Sequence, residues 1–394
     1  MRAAGLIVLA LALLGVAAVL AAAPGDAERR VARAAPQPAA PAATPQPEAP
    51  APAQPPPDVV MVRHRDGVPV GWASRLRRTS GVETVTRVAR GQALLRAASG
   101  GRRVPAGHAV LLDLLAVEPR GYARMLPAET RAAFARLRPG TALLSETSAR
   151  VRRLGAGGRL TLAGGKRLRV VAVVPDGLVR AAEVVVHRAD GARLGARRPY
   201  LLAAAGDLAA VRRAIAREAG GQNPRSRRVV VGRLGPAPWD VAGTVARPAR
   251  LKARFGEPAL RLAVGADWVT LDAGFRSRQI VTRSVPILGT VTCHRRMVAP
   301  LRAALGELTR RGLSRLVDPG DYAGCYAPRR IPGSGSLSLH AWGLAVDLNA
   351  AANPAGGRSH QDRRLVRIME RHGFRWGGRW PTAPDPMHFE YHGD

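Results

Sequence analysis

The sequence is short of cysteine, aromatic residues and lysine, and these shortages narrow the kinds of protein it can encode. Of its 394 residues two are cysteines, Cys293 and Cys325, and they form no CxxC pattern. The signature of a cysteine-based zinc module is therefore missing. Aromatic residues make up only 4% of the chain, and Lys166 and Lys252 are its only lysines. No aromatic-studded RNA-binding pattern is present.

Acidic residues are also scarce, and this leaves a large positive charge. The 61 lysines and arginines exceed the 28 acidic residues by 33, and the isoelectric point is about 11.8. A strongly basic chain suggests a nucleic-acid partner first, but the sequence contains no helix-turn-helix or zinc-finger motif. Nearly all of the charge is arginine in a chain rich in Ala, Gly and Pro, as a GC-rich genome would produce. We therefore expect no nucleic-acid partner.

The amino terminus indicates export. Arg2 precedes an apolar or small stretch over residues 3–23, which is long enough for a membrane anchor and ends in Ala21-Ala22-Ala23, as a cleaved signal peptide does. Residues 1–23 are predicted to be a signal peptide or an anchor, and the signal peptide is favoured. Residues 24–57 are mostly Ala and Pro, which predicts a disordered linker. The remainder is expected outside the cytoplasm, either secreted or anchored at the cell envelope.

Residues 58–240 are predicted to form a β-rich module of unknown function. Strands are expected at 110–117, 159–162, 168–174 and 184–187, with Gly164-Gly165 as a hairpin turn. Helices are expected at 127–137 and 207–219. The stretch 140–174 resembles extracytoplasmic modules of bacterial permease-type proteins. We find no ligand cluster, nucleophile motif or phosphate loop in this region.

The last third of the chain carries a metal-binding pattern. It reads Ser-x-His-x-x-Gly-x-Ala-x-Asp from Ser338 to Asp347, and then Asp-x-x-His-Phe-Glu from Asp385 to Glu390. Two imidazoles and a carboxylate suit Zn²⁺, and catalytic zinc sites use three protein ligands and leave one position open. The pattern predicts His340, Asp347 and His388 as ligands. It predicts Asp385 as the general base.

Alternation around Asp347 indicates a strand. Leu344, Val346 and Leu348 share one parity and should face the core, whereas Asp347 should face a cleft. The small residues Gly343 and Ala345 would allow metal and substrate to approach the backbone. A second alternation follows His388, so we expect a second strand to present that imidazole to the same cleft.

Residues 248–394 resemble the zinc D-alanyl-D-alanine carboxypeptidases and L-alanoyl-D-glutamate endopeptidases of bacterial cell-wall metabolism, including vancomycin-resistance-type D,D-carboxypeptidases. Besides the ligand motifs, the resemblance rests on the stretches 286–294, 322–329, 340–343 and 373–380. It implies a Zn²⁺-dependent peptidase that cuts peptidoglycan peptides at one of these two bonds. It also implies an arginine ahead of the first ligand that binds substrate carboxylate or oxyanion, and Arg329 matches this role, with Arg330 as the alternative.

Further residues are expected to support the site. Ser338 falls on the serine of the family's motif, Trp342 belongs to the same motif, and Trp376 and Trp380 either line the cleft or pack beneath the sheet. Helices are predicted at 295–311 and 362–372. Cys293 and Cys325 can be free thiols, thiolate ligands or a disulfide, and export favours the disulfide.

These features predict an α+β protein in which a β-rich module precedes a catalytic domain at 248–394, with a small antiparallel sheet and flanking helices. The expected partners are peptidoglycan peptides, together with anionic wall polymers or a membrane surface that attract the arginine-rich chain. The alternative function is a catalytically silent zinc-binding protein that recognises the cell wall.

Overall fold

A large β-sheet precedes several small ones along the chain. The computed structural model describes residues 55–180, 182–218, 229–239, 248–262, 267–332, 335–380 and 383–393. The signal or anchor predicted at 1–23 lies outside the described residues, as does nearly all of the linker predicted at 24–57. Among the described residues, no helix is both long and apolar enough to cross a bilayer.

The first sheet contains nine of the described strands. They are β1 (Val59–His64), β2 (Val82–Ser99), β3 (Val110–Val117), β4 (Thr141–Ser145), β5 (Arg159–Leu162), β6 (Arg167–Val174), β7 (Val184–His187), β8 (Arg198–Ala205) and β9 (Val229–Gly235). The order is β3-β7-β4-β6-β5-β2-β8-β1-β9, and β2 also pairs with β3. Strands β2, β3, β7, β4, β6 and β5 are therefore hydrogen-bonded in a closed ring, because β5 pairs with β2 again.

Six helices accompany this sheet in the described residues: α1 (Trp72–Arg77), α2 (Pro119–Ala123), α3 (Arg131–Ala135), α4 (Glu146–Arg152), α5 (Arg188–Leu194) and α6 (Leu208–Glu218). The four strands predicted from sequence are present, and Gly164 and Gly165 turn between β5 and β6 with φ of +73° and +71°. Of the helix predicted at 127–137, only α3 and a preceding 3₁₀ turn form.

The C-terminal region mixes short strands and helices. Its elements are α7 (Pro248–Phe255), β10 (Leu260–Leu262), β11 (Val269–Leu271), α8 (Ala273–Gln279), β12 (Ile280–Val285), β13 (Gly289–His294), α9 (Arg295–Arg310), β14 (Tyr322–Gly324), β15 (Ala345–Leu348), α10 (Arg363–Arg371), β16 (Phe374–Trp376) and β17 (His388–Tyr391). Strands β14-β15-β17-β16 form an antiparallel sheet of four. The predicted α+β fold with a preceding β-rich region is confirmed.

Helices α9 and α10 cover the core beneath this sheet. The apolar stripe of α9 is buried as predicted, and it consists of Met297, Leu301, Leu305 and Leu308. On α10, the Asp362 side chain caps the first turn by accepting a hydrogen bond from Arg364 N at 2.7 Å. Cys293 and Cys325 form a disulfide between β13 and the loop after β14, so the favoured pairing is confirmed.

The two regions are joined by a buried ionic cluster, defined here as Arg152, Glu183, Lys252 and Glu257. Arg152 Nη2 lies 2.7 Å from Glu183 Oε1 and 2.6 Å from Glu257 Oε1, and Lys252 Nζ lies 2.7 Å from Glu183 Oε2. Burial alone would raise the pKa of Glu183, but Lys252 and Arg152 hold it below its usual value. Each charge therefore depends on its partners, which come from both regions.

Apolar and backbone contacts reinforce this junction. Leu94 of β2 and Leu111 of β3 pack against the hydrophobic core of the C-terminal region. Ala109 and Leu260 exchange two backbone hydrogen bonds of 2.8 Å, which form a single bridge between β10 and the residue before β3. The β-rich region is thus fastened to the C-terminal region by polar, apolar and backbone contacts.

Replacing Glu183 with alanine is expected to destabilise the protein by about 3–5 kcal/mol, because Arg152 and Lys252 would remain buried without their carboxylate. Urea unfolding measures this change. Glu83→Ala is the matched control, since Glu83 is exposed at the start of β2 and its loss should change stability by less than about 0.5 kcal/mol. Equal unfolding midpoints for the two variants would contradict the role given to the cluster.

Candidate metal centre

Backbone pairing brings Asp347 and His388 together. They are directly opposed residues of the neighbouring strands β15 and β17, so their side chains leave the same face of the sheet. His340 reaches them from the 3₁₀ turn Leu339–Trp342, whose first residue is preceded by Ser338. The Ser338 hydroxyl caps this turn by accepting a hydrogen bond from His340 N at 3.3 Å. All three predicted ligands therefore meet in one place.

One ligand atom from each of the three side chains lies within 4.8 Å of the other two. His388 Nδ1 is 2.8 Å from Asp347 Oδ1, His340 Nε2 is 3.1 Å from Asp347 Oδ2, and the two ring nitrogens are 3.1 Å apart. Tetrahedral ligands about 2.0–2.1 Å from Zn²⁺ stand roughly 3.3 Å apart, so a slight expansion of this triangle would accept the ion. The three side chains are buried.

The outer nitrogen of each imidazole is held by an oxygen that can only accept a hydrogen bond. His340 Nδ1 donates to Cys325 O at 2.8 Å, and His388 Nε2 donates to Glu390 Oε1 at 3.2 Å. In neutral imidazoles each inner nitrogen would then have a lone pair that faces Asp347, and a metal ion could bind there in place of a proton. Three lone-pair donors directed at one another repel unless a cation lies among them, so this donor set fits a divalent metal ion.

The charges around the triangle also call for a cation. Burial would raise the pKa of Asp347, but hydrogen bonds from His340 and His388 outweigh it and hold that pKa below its usual range. Burial likewise opposes ionisation of Glu390, whose contacts with His388 and His392 lower its pKa to about 2. Burial opposes the charged form of His388, but its hydrogen bonds with Asp347 and Glu390 outweigh burial and raise its pKa to about 10, so both carboxylates favour a positive charge at this position.

Asp385 lies beside the triangle in the segment that leads into β17. Its backbone N donates to Gly377 O at 3.0 Å, and its carbonyl accepts from His388 N at 3.2 Å. A Cβ at position 377 would stand 2.7 Å from Asp385 O, so glycine is needed there for this close approach. The backbone of Asp385 is thereby fixed relative to His388.

The Asp385 carboxyl group has an unsatisfied oxygen. Oδ1 is buried and has no hydrogen-bond partner among the described residues. Burial raises the pKa of this carboxyl group, and His388 and Arg329 partly oppose that shift. A buried acceptor without a partner is unusual in a folded protein and indicates a place for a ligand, such as water or a substrate group.

The two candidate arginines differ in their surroundings. Arg329 acts electrostatically on Asp385, and its side chain makes no hydrogen bond or ion pair with any residue that the structure describes. The Arg330 guanidinium lies 3.6 Å from Asp267 Oδ1, and its backbone N donates to Asp267 O at 2.7 Å. Arg330 is thus engaged with Asp267, whereas Arg329 lowers the pKa of Asp385 electrostatically.

The three tryptophans have different environments. The Trp380 ring lies 5.3 Å from the His388 ring, centroid to centroid, and lines the site. Trp376 Nε1 donates to Pro386 O at 2.7 Å, which braces the segment that carries Asp385. Trp342 is buried and donates to Gly256 O at 3.2 Å, so it packs in the core.

The expectation for Gly343 is wrong. Gly343 does not open the cleft, because it ends the 3₁₀ turn with φ of +65° and packs against the backbone of β13. A Cβ there would stand 2.6 Å from His294 N, which donates to Gly343 O. Leu344, Val346 and Leu348 are buried as predicted, but Asp347 is buried as well, so the site is deep.

Sequence reasoning missed two groups that orient the ligands. Glu390 stood in the motif without a role, although a residue two positions along a strand shares a face with His388. That spacing was the available signal, and Glu390 also contacts His392 Nε2 at 2.9 Å. The Cys325 carbonyl had no signal, because any residue supplies a carbonyl. Its use depends on the disulfide that fixes the backbone at Cys325.

Comparison with known families agrees with this site. A family model described as D-alanyl-D-alanine carboxypeptidase matches residues 332–391. The match contains His340, Asp347, Asp385 and His388 but begins after Arg329. The resemblance seen in the sequence is confirmed for this segment, which supports a peptidase of the D-alanyl-D-alanine carboxypeptidase type. None of the curated proteins gives a significant match.

Solved structures give weaker likenesses. The periplasmic region of MacB from Actinobacillus actinomycetemcomitans is 11% identical over 44% of this chain and 87% of its own, with a TM-score of 0.30. The extracellular domain of the ABC-type transporter YknZ from Gram-positive bacteria is 13% identical over 44% of this chain and 99% of its own, with a TM-score of 0.30. A domain of a putative permease protein from Porphyromonas gingivalis is 16% identical over 48% of this chain and 92% of its own, with a TM-score of 0.28. TM-scores this low support no conclusion about the present chain.

Replacing Glu390 with alanine is expected to weaken metal binding about 10- to 100-fold, because His388 would lose the acceptor that orients it. Competition with a chromophoric chelator measures the affinity. Glu390→Gln keeps an acceptor oxygen and should lose less. Glu370→Ala is the control, since Glu370 pairs with Arg379 at the surface and should leave the affinity unchanged. The same affinity in all four proteins would contradict the orienting role.

Proposed function

We propose that the protein is a zinc-dependent peptidase that hydrolyses peptidoglycan stem peptides, as a D-Ala-D-Ala carboxypeptidase or an L-Ala-D-Glu endopeptidase. The observation that carries the proposal is the convergence of His340, Asp347 and His388 beside the unsatisfied carboxyl group of Asp385. A purely structural metal site would have no need of that free acceptor. The family match to residues 332–391 supports the same type of chemistry.

Zinc is the proposed metal because of the donor set. His340 Nε2, His388 Nδ1 and one oxygen of Asp347 provide two borderline nitrogens and one carboxylate, which suit Zn²⁺ and leave one coordination position open. Bound there, zinc would supply Lewis acidity that makes water a nucleophile near neutral pH and polarises the scissile carbonyl.

Asp385 is the proposed proton carrier. Its Oδ1 has no hydrogen-bond partner among the described residues, so it can accept the proton of the attacking water. The same carboxyl group can then donate that proton to the departing amine. Gly377 O and His388 N hold the backbone of Asp385 on both sides, which keeps the residue beside the metal ligands for both transfers.

Arg329 is the proposed substrate-binding arginine. A guanidinium without a protein carboxylate partner is suited to a substrate carboxylate or to the negative charge that develops on the carbonyl oxygen. Its electrostatic effect on Asp385 supports this assignment. Ser338 supports His340 by capping its turn, and Trp380 provides an apolar wall beside His388.

Export completes the proposal. The Cys293–Cys325 disulfide is typical of an oxidising compartment outside the cytoplasm. The charged and apolar pattern of residues 1–23 indicates a signal peptide or anchor, and either would deliver the enzyme to a secreted or envelope-bound position.

The activity is tested by incubating the zinc-loaded protein with muropeptides and reading the products by mass spectrometry. Loss of one terminal alanine identifies the carboxypeptidase, and separation of the L-Ala and D-Glu residues identifies the endopeptidase. Asp385→Asn is expected to lower the rate about 10²- to 10⁴-fold at unchanged zinc content, because the proton carrier is lost. Asp66→Asn, an exposed change in a turn, should keep the full rate.

Two results would contradict this assignment. Equal product formation by the wild type and Asp385→Asn would remove Asp385 from the mechanism. Tight binding of muropeptides with bound zinc and no product would instead favour the silent cell-wall recognition protein.

We further propose that anionic wall polymers hold the enzyme at its substrate. A cavity of about 660 Å³ in the β-rich region is lined by Gly100, Gly101 and Val151 and by four exposed arginines, Arg102, Arg103, Arg150 and Arg153, with no acidic side chain. Guanidinium groups bind phosphate and carboxylate in a fork geometry, and four like charges repel one another until an anion neutralises them.

Changing these four arginines to alanine is expected to reduce co-sedimentation with purified cell walls and to flatten its dependence on salt. The matched control removes the same charge from four scattered exposed positions, Arg124, Arg136, Arg310 and Arg367. Equal losses from both quadruple variants would show that total charge alone governs retention, and the cavity would have no specific part. Retention on walls stripped of anionic polymer would also contradict the proposal.

A further inference from the structure

The segment that carries Arg329 is one arm of a narrow hairpin. Ser338 N donates to Arg329 O at 3.0 Å, and Ile331 N donates to Ser336 O at 2.7 Å. Arg330 and Leu337 are paired in the antiparallel sense between these two bonds. The other arm leads through Ser338 directly to His340. The hairpin therefore connects the candidate substrate-binding arginine to the first candidate metal ligand.

A side chain from the β-rich region contacts this hairpin. Gln92 of β2 donates from Nε2 to Ser336 Oγ at 3.0 Å, across 244 residues of sequence. A Cβ at Gly335 would lie 3.1 Å from Gln92 Oε1, so the glutamine amide also lies close to the neighbouring backbone. The second arm of the hairpin thus rests against β2.

Gln92 is itself held in place. Its Nε2 lies 3.3 Å from Asp113 Oδ1, and Asp113 is the residue directly opposite on β3. The Asp113 backbone N donates to Glu183 Oε2 at 3.1 Å, and Glu183 belongs to the buried ionic cluster that ties the two regions together. Polar contacts therefore continue without a break from the hairpin to helix α7.

We propose that Gln92 is a positioning residue for the candidate active site, and that the β-rich region forms the fixed support for the arm that presents Arg329. This inference rests on the proposed function, because Arg329 matters only if substrate binds there. It gives residues 58–240 a role in the reaction that their lack of catalytic motifs had left unassigned. A side chain on β2 sets where the substrate carboxylate is held.

The expected signature is a weaker hold on substrate with intact chemistry. Gln92→Ala removes the hydrogen bonds to Ser336 and Asp113 but leaves the metal ligands and Asp385 untouched. KM should rise about 3- to 10-fold, the range for one neutral hydrogen bond, while kcat changes less than twofold and zinc content stays the same. Ser336→Ala should give the same result, and Ser336→Thr, which keeps the hydroxyl group, should behave nearly as the wild type.

Hydrogen exchange supplies a readout that needs no activity. The amides of Ile331 and Ser338 close the hairpin, so in the full-length zinc-loaded protein they should exchange faster in Gln92→Ala and in Ser336→Ala. The effect of the double variant on these two amides should be smaller than the sum of the two single effects, because the Gln92–Ser336 contact is lost in each variant. Arg96→Ala is the control, since Arg96 is exposed on the same strand and bonds only to His108 O within the β-rich region.

The outcomes separate this inference from the proposed function. If the wild type binds zinc but cuts no muropeptide, the proposed peptidase function is wrong, and the exchange rates still decide whether β2 holds the hairpin. Unchanged hydrogen exchange in Gln92→Ala would show that β2 does not support the hairpin. Faster exchange with unchanged KM in an active enzyme overturns the positioning role. Faster exchange together with a raised KM, absent in Arg96→Ala, is the result expected.

Discussion

Two imidazole nitrogens and one carboxylate oxygen directed at the same small volume are the constraint that the C-terminal region is built around. Without a proton or a metal ion between them these atoms would repel one another, and the backbone around them keeps them close together. Strand register fixes Asp347 opposite His388, and a capped 3₁₀ turn fixes His340. Binding a divalent cation would relieve that repulsion, which is why the arrangement makes physical sense as a metal centre.

Charged groups are also held close together, away from water, at the junction of the two regions. There the buried ionic cluster keeps two cations and two anions away from water, and its four members derive from both sides. Buried ion pairs contribute little net stability, but they tolerate few alternative arrangements. In this chain the cluster fixes the orientation of β2 and β3 relative to α7. A precise orientation is what a side chain such as Gln92 requires if it is to reach a hairpin beside the metal centre.

Local patterns in the sequence predicted most residues of the candidate site, but they predicted little of how the rest of the chain packs around it. Alternation placed Asp347 and His388 on strands, and the motif spacing brought both to His340. Apolar residues at helical spacing predicted α10. Gly343 was misjudged because a glycine's purpose depends on what it packs against, and its neighbour His294 is 49 positions away in a different strand. The docking of β2 was invisible for a similar reason, since Gln92 and Ser336 are 244 residues apart and neither belongs to a motif.

Diffraction from crystals grown with zinc, recorded on both sides of the zinc absorption edge, tests the central claim most directly. The account predicts one anomalous peak about 2.0–2.2 Å from His340 Nε2, His388 Nδ1 and an oxygen of Asp347. The peak should be present above the edge and absent below it. No peak at that position, or a zinc ion held by other residues while these three side chains remain in contact with one another, would contradict it.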